Sequence, residues 1–84
     1  MTQSNISLGE RVMALADDLA RHTDGPGLTR LYLSPGHKAT AEAVMALMRG
    51  AGMSARMDAA GNVVGRYEGA EPGLPALLIG SHID

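Results

Sequence analysis

The sequence predicts an α/β fold with the element order α-α-β-β-β, the opening of a larger α/β domain whose sheet is unfinished. Three observations carry that expectation. Two stretches place apolar residues at helical spacing behind a serine cap. Three shorter, strand-like stretches follow, separated by segments rich in Gly, Asn and Pro. The chain also has 84 residues with two tyrosines, no Phe or Trp, and six methionines, so its core is built from Leu, Val, Ile, Ala and Met. A core this thin suits part of a larger domain better than a unit that folds tightly alone.

The first helix is expected over about Leu8 to His22. Ser7 and Glu10 form an S-x-x-E capping box, and Leu8, Val12, Leu15, Ala16 and Leu19 share one face. Thr23-Asp24-Gly25-Pro26-Gly27 forces the exit. Ser34 caps a second helix whose first turn takes Pro35, where the missing N–H costs nothing. Ala43, Val44, Leu47, Met48 and Ala51 form its expected buried stripe, and Gly52 is placed to take the left-handed conformation that ends it. Met53 to Asp58 alternates as a strand with one solvated face, Ala59 to Asn62 turns, and Val63 to Tyr67 returns antiparallel. Glu68 to Gly73 reads as an exposed loop (residues 70–73 above all), and Leu74 to Gly80 as a third strand apolar enough to lie inside a sheet.

A net charge of −2 with interspersed acids and bases offers no basic patch, so nucleic acid is not an expected partner. With no cysteine there is neither a disulfide nor a thiolate–metal site, which leaves His and carboxylate as ligands and fits a cytoplasmic location. Met1 to Ser7 is polar and lacks a signal-peptide pattern, and no apolar run is long enough to span a membrane.

Chemistry concentrates in Gly80-Ser81-His82-Ile83-Asp84, directly after the apolar run Leu77-Leu78-Ile79. The C-terminal end of a strand is where ligands collect in open α/β sheets. On extended backbone, residues i and i+2 point the same way, so Asp84 reaches the His82 ring, fixes its tautomer and raises its basicity. The bland alternative is a His and an Asp that face solvent. His22, in the last turn of helix one, and His37, in the first turn of helix two, read as exposed helix-end residues. Arg30, bracketed by apolar residues, suits a buried carboxylate or a domain contact. Asp58 to Asn62 is what a tight turn requires, and the methionines at 45, 48, 53 and 57 are core filler.

Four blocks occur in order: Leu28-Thr29-Arg30-Leu31-Tyr32-Leu33-Ser34-Pro35, Met48-Arg49-Gly50-Ala51-Gly52-Met53, Asp58 through Gly69, and Gly80 through Asp84. Together they resemble the N-terminal part of allantoate amidohydrolases and their relatives, the N-carbamoyl-L-amino-acid hydrolases and β-ureidopropionase-type enzymes. These belong to the dinuclear-metal aminoacylase and peptidase superfamily. The resemblance implies that residues 1–84 are the incomplete N-terminal part of a dinuclear-metal hydrolase catalytic domain. It makes His82 a ligand of one of two divalent ions, zinc or manganese, and Asp84 the carboxylate that orients it. It further implies a small ureido or amide substrate in purine or allantoin degradation, or an N-carbamoyl-L-amino acid, with a cytoplasmic homodimer as the working form. Thr29-Arg30-Leu31 and Ser34-Pro35 lean toward allantoate. The other metal ligands, the catalytic glutamate and the substrate-binding arginine are expected beyond Asp84, so the 84 residues alone are expected to be inactive. The competing expectation is a non-catalytic, stand-alone binding or interaction module derived from such an enzyme.

Overall fold

A computed structural model describes residues 7–84. The reading of the polar N-terminal stretch falls on residues 1–6, outside the described residues, apart from Ser7. Helix α1 runs Leu8–Ala20 and α2 runs Pro35–Gly50. Strands β1 (Ser54–Met57) and β2 (Val63–Arg66) form a two-stranded antiparallel sheet.

The expected capping box starts α1: Ser7 Oγ accepts from the Glu10 amide at 3.1 Å, and Glu10 Oε1 accepts from the Ser7 amide at 3.0 Å. Such a cap contributes about 1 kcal/mol. The helix ends two residues short of the expected His22, with Arg21 as its C-cap. Its apolar stripe is present in pattern but scarcely covered. No residue of α1 is buried, Leu8 and Val12 stay exposed, and only Leu15 and Leu19 are half-buried.

Helix α2 carries the core. Gly36, His37, Thr40 and Ala41 are its buried residues, with Val44 and Met48 half-buried one and two turns on. The buried face is therefore set closer to the N-terminus than the expected stripe, and Leu47 and Ala51 lie exposed. The helix stops on the expected glycine. Gly52 has φ +89°, its amide donates to Arg49 O, and the Met53 amide donates to Met48 O. Those two bonds close the helix with a Schellman motif.

The hairpin pairs Ser54 with Arg66 and Met57 with Val63. Gly65 explains how closely α2 approaches it, because a Cβ there would lie 2.6 Å from Met48 Sδ and 3.0 Å from Met53 Cε. Asp58 organises the turn: Oδ1 accepts from the Ala60 and Asn62 amides, both at 2.9 Å, and Oδ2 accepts from Asn62 Nδ2 at 3.1 Å. Gly61, at φ +87°, is buried against Leu33, His37 and Tyr32.

The third strand does not form. Residues 74–80 join no ladder, and Leu77, Leu78 and Ile79 are 86, 92 and 84% exposed. An apolar run alone does not make a strand. Its N–H and C=O groups need a partner ladder, and the described chain offers this segment none. Among the described residues, the α/β character consists of two helices and one hairpin.

Candidate functional site

The site is built around the N-terminus of α2. Upstream, the loop after α1 closes on itself: Thr23 Oγ1 accepts from the Thr29 amide at 3.0 Å and donates to Gly27 O at 2.6 Å. This places Asp24 where one carboxylate gathers three donors, namely Ser34 Oγ at 2.6 Å, the Gly36 amide at 2.7 Å and the Leu31 amide at 3.0 Å. The Ser34 hydroxyl foremost, then the Leu31 and Gly36 amides, hold the Asp24 carboxyl below its ordinary range. The clamp also requires a glycine at 36, where a Cβ would come within 2.6 Å of Asp24 Oδ1. Asp58 is likewise held low, chiefly by hydrogen bonds from Asn62.

His37 departs from its expected role. It is 6% exposed, and its Nδ1 accepts from the Leu33 amide at 2.8 Å, while Ser34 Oγ accepts from the His37 amide at 3.1 Å. With Nδ1 accepting, the ring proton sits on Nε2. Leu33 adopts φ +65° to present that amide. The signal was available in Ser34-Pro35-Gly36-His37, because the third helical position is where a side-chain acceptor reaches back to the chain entering the helix. The Tyr32 ring packs tilted against His37 at 5.5 Å, and its hydroxyl donates to Ala60 O, tying the loop to the hairpin turn.

Of the two roles expected of Arg30, the buried carboxylate is not met by a hydrogen bond or ion pair among the described residues, and the guanidinium instead joins separate stretches of the chain. Its Nη1 donates to Leu19 O at 2.8 Å, His22 O at 3.0 Å and Thr40 Oγ1 at 2.9 Å. Its Nε donates to Ile83 O at 2.6 Å. The guanidinium thus occupies the carbonyl end of α1, where cationic donors are favoured. His22, half-buried rather than exposed, contributes its carbonyl.

His82 and Asp84 lie beside this assembly. A cleft of about 450 Å³ brings the Gly80–Asp84 segment against Tyr32, His37, Met48, Gly61 and Asn62. His82 Nδ1 is 3.5 Å from Asp84 Oδ1 and 3.1 Å from the Asp84 main-chain oxygen, and the His82 side chain is 85% exposed. In the tautomer that carries its proton on Nδ1, facing Asp84, the ring has its Nε2 lone pair free as an electron-pair donor. Among the described residues, no group of three or more His, Cys, Asp or Glu is placed to hold a metal ion. One imidazole and its neighbouring carboxylate are fewer donors than a bound divalent ion takes from a protein, so these residues do not form a metal centre by themselves. Among the described residues, no helix is long and apolar enough to cross a membrane.

An N-carbamoyl-L-amino-acid amidohydrolase of Paenarthrobacter aurescens is 46% identical to the chain over 76 residues, which is 89% of this chain and 18% of the relative. A ureidoglycolate hydrolase of Arabidopsis thaliana is 40% identical over 70 residues, covering 81% of this chain and 15% of the relative. Allantoate deiminase 1 of Glycine max is 37% identical over 78 residues, covering 92% and 16%. The chain therefore spans less than a fifth of the length of these curated relatives. No family model matches the chain. No solved structure matches it. Three relatives with related names align with most of these 84 residues, and over that length the chain belongs to the family of N-carbamoyl-L-amino-acid amidohydrolases, ureidoglycolate hydrolases and allantoate deiminases.

Proposed function

We propose that this chain is the N-terminal part of a metal-dependent amidohydrolase that cleaves the ureido C–N bond of allantoate or of an N-carbamoyl-L-amino acid. The observation that carries the reading is the 46% identity over 76 residues to an N-carbamoyl-L-amino-acid amidohydrolase. The geometry of His82 and Asp84 supports it. In this proposal His82 is one ligand of a site for two divalent ions, zinc or manganese, and Asp84 holds its ring and tautomer. The remaining donors belong to protein outside these residues, and the 84 residues alone do not turn substrate over. The whole enzyme works as a cytoplasmic homodimer on a small ureido substrate.

The test uses the hydrolase that carries this chain, stripped of metal and reloaded with zinc or manganese. Ammonia release is then followed from allantoate and from an N-carbamoyl-L-amino acid. Metal-dependent release from one of the two is expected. Absence of release from both, in protein that is folded and loaded, contradicts the proposal.

A further inference from the structure

We propose that Arg30 is a positioning residue for the His82–Asp84 pair, linking the end of α1 and the core of α2 to the segment that carries the candidate ligand. The inference deepens the proposed function, on whose reading of His82 it rests. Arg30 Nε donates to Ile83 O, the carbonyl between His82 and Asp84, across 53 residues of chain. On the other side of the same planar group, Nη1 donates to Leu19 O, His22 O and the hydroxyl of Thr40. Thr40 is fully buried in the first half of α2, so the guanidinium is fixed at its inner end by the best-packed part of the molecule.

Its outer end reaches a segment otherwise short of restraint. Residues 74–80 are exposed and join no ladder, and the His82 side chain is itself largely exposed. Fixing the Ile83 carbonyl fixes the peptide plane between residues 83 and 84. That plane sets where the Asp84 side chain leaves the chain, and with it the 3.5 Å approach of Asp84 Oδ1 to His82 Nδ1. A lysine keeps the charge but lacks the rigid fork that serves several acceptors at once.

Two arms decide the proposal. In the first, NMR signals of the His82 ring and of the Asp84 amide, which shares its peptide plane with the Ile83 carbonyl, are compared across variants of the full chain. Arg30→Lys and Thr40→Val are expected to shift both signals, Thr40→Ser to restore them, and Arg21→Lys to leave them in place. Thr40→Val keeps the volume of the side chain and covers the case in which Arg30→Lys fails to fold. Unmoved signals in folded Arg30→Lys or Thr40→Val overturn the proposal.

In the second arm, Zn²⁺ affinity of the hydrolase that carries this chain is measured by chelator competition. Arg30→Lys is expected to weaken binding about tenfold, as for residues that orient a ligand. If His82→Ala abolishes binding at that site while Arg30→Lys leaves affinity unchanged, the positioning role is overturned. If His82→Ala leaves Zn²⁺ bound normally, the ligand reading fails instead, and the NMR arm alone decides whether Arg30 sets the segment.

Discussion

Residues 23–66 are less apolar than residues 74–84, yet the first region is tightly organised and the second is held at isolated points. In the first, Asp24, Ser34, His37 and Asp58 satisfy the backbone amides of the loop, the start of α2 and the hairpin turn, and Gly61 and Gly65 let the pieces close on one another. In the second, three consecutive apolar side chains stand in solvent, and Arg30 reaches in to hold the Ile83 carbonyl. The difference lies in partners rather than hydrophobicity. Polar groups that find their complements close at hand order a short chain, whereas an apolar strand stays unformed until another strand lies beside it.

The comparison breaks most sharply at Gly61. A Gly61→Val substitution forces a β-branched residue into φ +87° and sets a Cβ against Leu33, His37 and Tyr32. A loss of about 2 kcal/mol in a urea titration is expected, because positive φ alone costs about 1–2 kcal/mol for such a residue. Ser34→Ala removes the α2 cap and the donor to Asp24 together, and about 1 kcal/mol is expected by the same titration. An unchanged midpoint in either variant would show that the network does not organise this region.

Acid should weaken the first region selectively. Asp24 and Asp58 are both held below the ordinary carboxylate value of 3.8, so their contribution is complete above that value and is lost as pH falls through the lower folded values. Thermal melts stepped down from pH 6 should therefore show a decline below about pH 4 that Asp24→Asn and Asp58→Asn each flatten. An equal decline in both variants would place the acid sensitivity elsewhere. The smallest effect is expected at Leu78→Ser, where a side chain already 92% exposed loses nothing on folding. Its urea midpoint should correspond to a change within about 0.5 kcal/mol of the parent chain. A loss above about 1 kcal/mol would mean that the segment packs in solution, and the contrast between the regions would fall.

What the sequence made legible follows the same division. The Ser7–Glu10 box, Ser34-Pro35, the Gly52 stop and the Asp58–Asn62 turn were readable because each is decided by residues within a few positions of one another. The Asp24 clamp, the acceptor role of His37 and the four bonds of Arg30 were not. Those pairings are set by how the loop folds back, and in the case of Ile83 they cross more than fifty residues. Leu74–Gly80 misled for a related reason, since its pattern records burial in a sheet that two strands do not complete. The proximity of His82 and Asp84 was legible from their spacing, and the structure places Nδ1 and Oδ1 3.5 Å apart.

The central claim is that His82 holds metal in a ureido hydrolase, and the most direct test is His82→Ala in the hydrolase that carries this chain, with bound metal and ammonia release measured on the same sample. The account predicts lost turnover together with reduced metal content. Normal turnover with full metal content would contradict it.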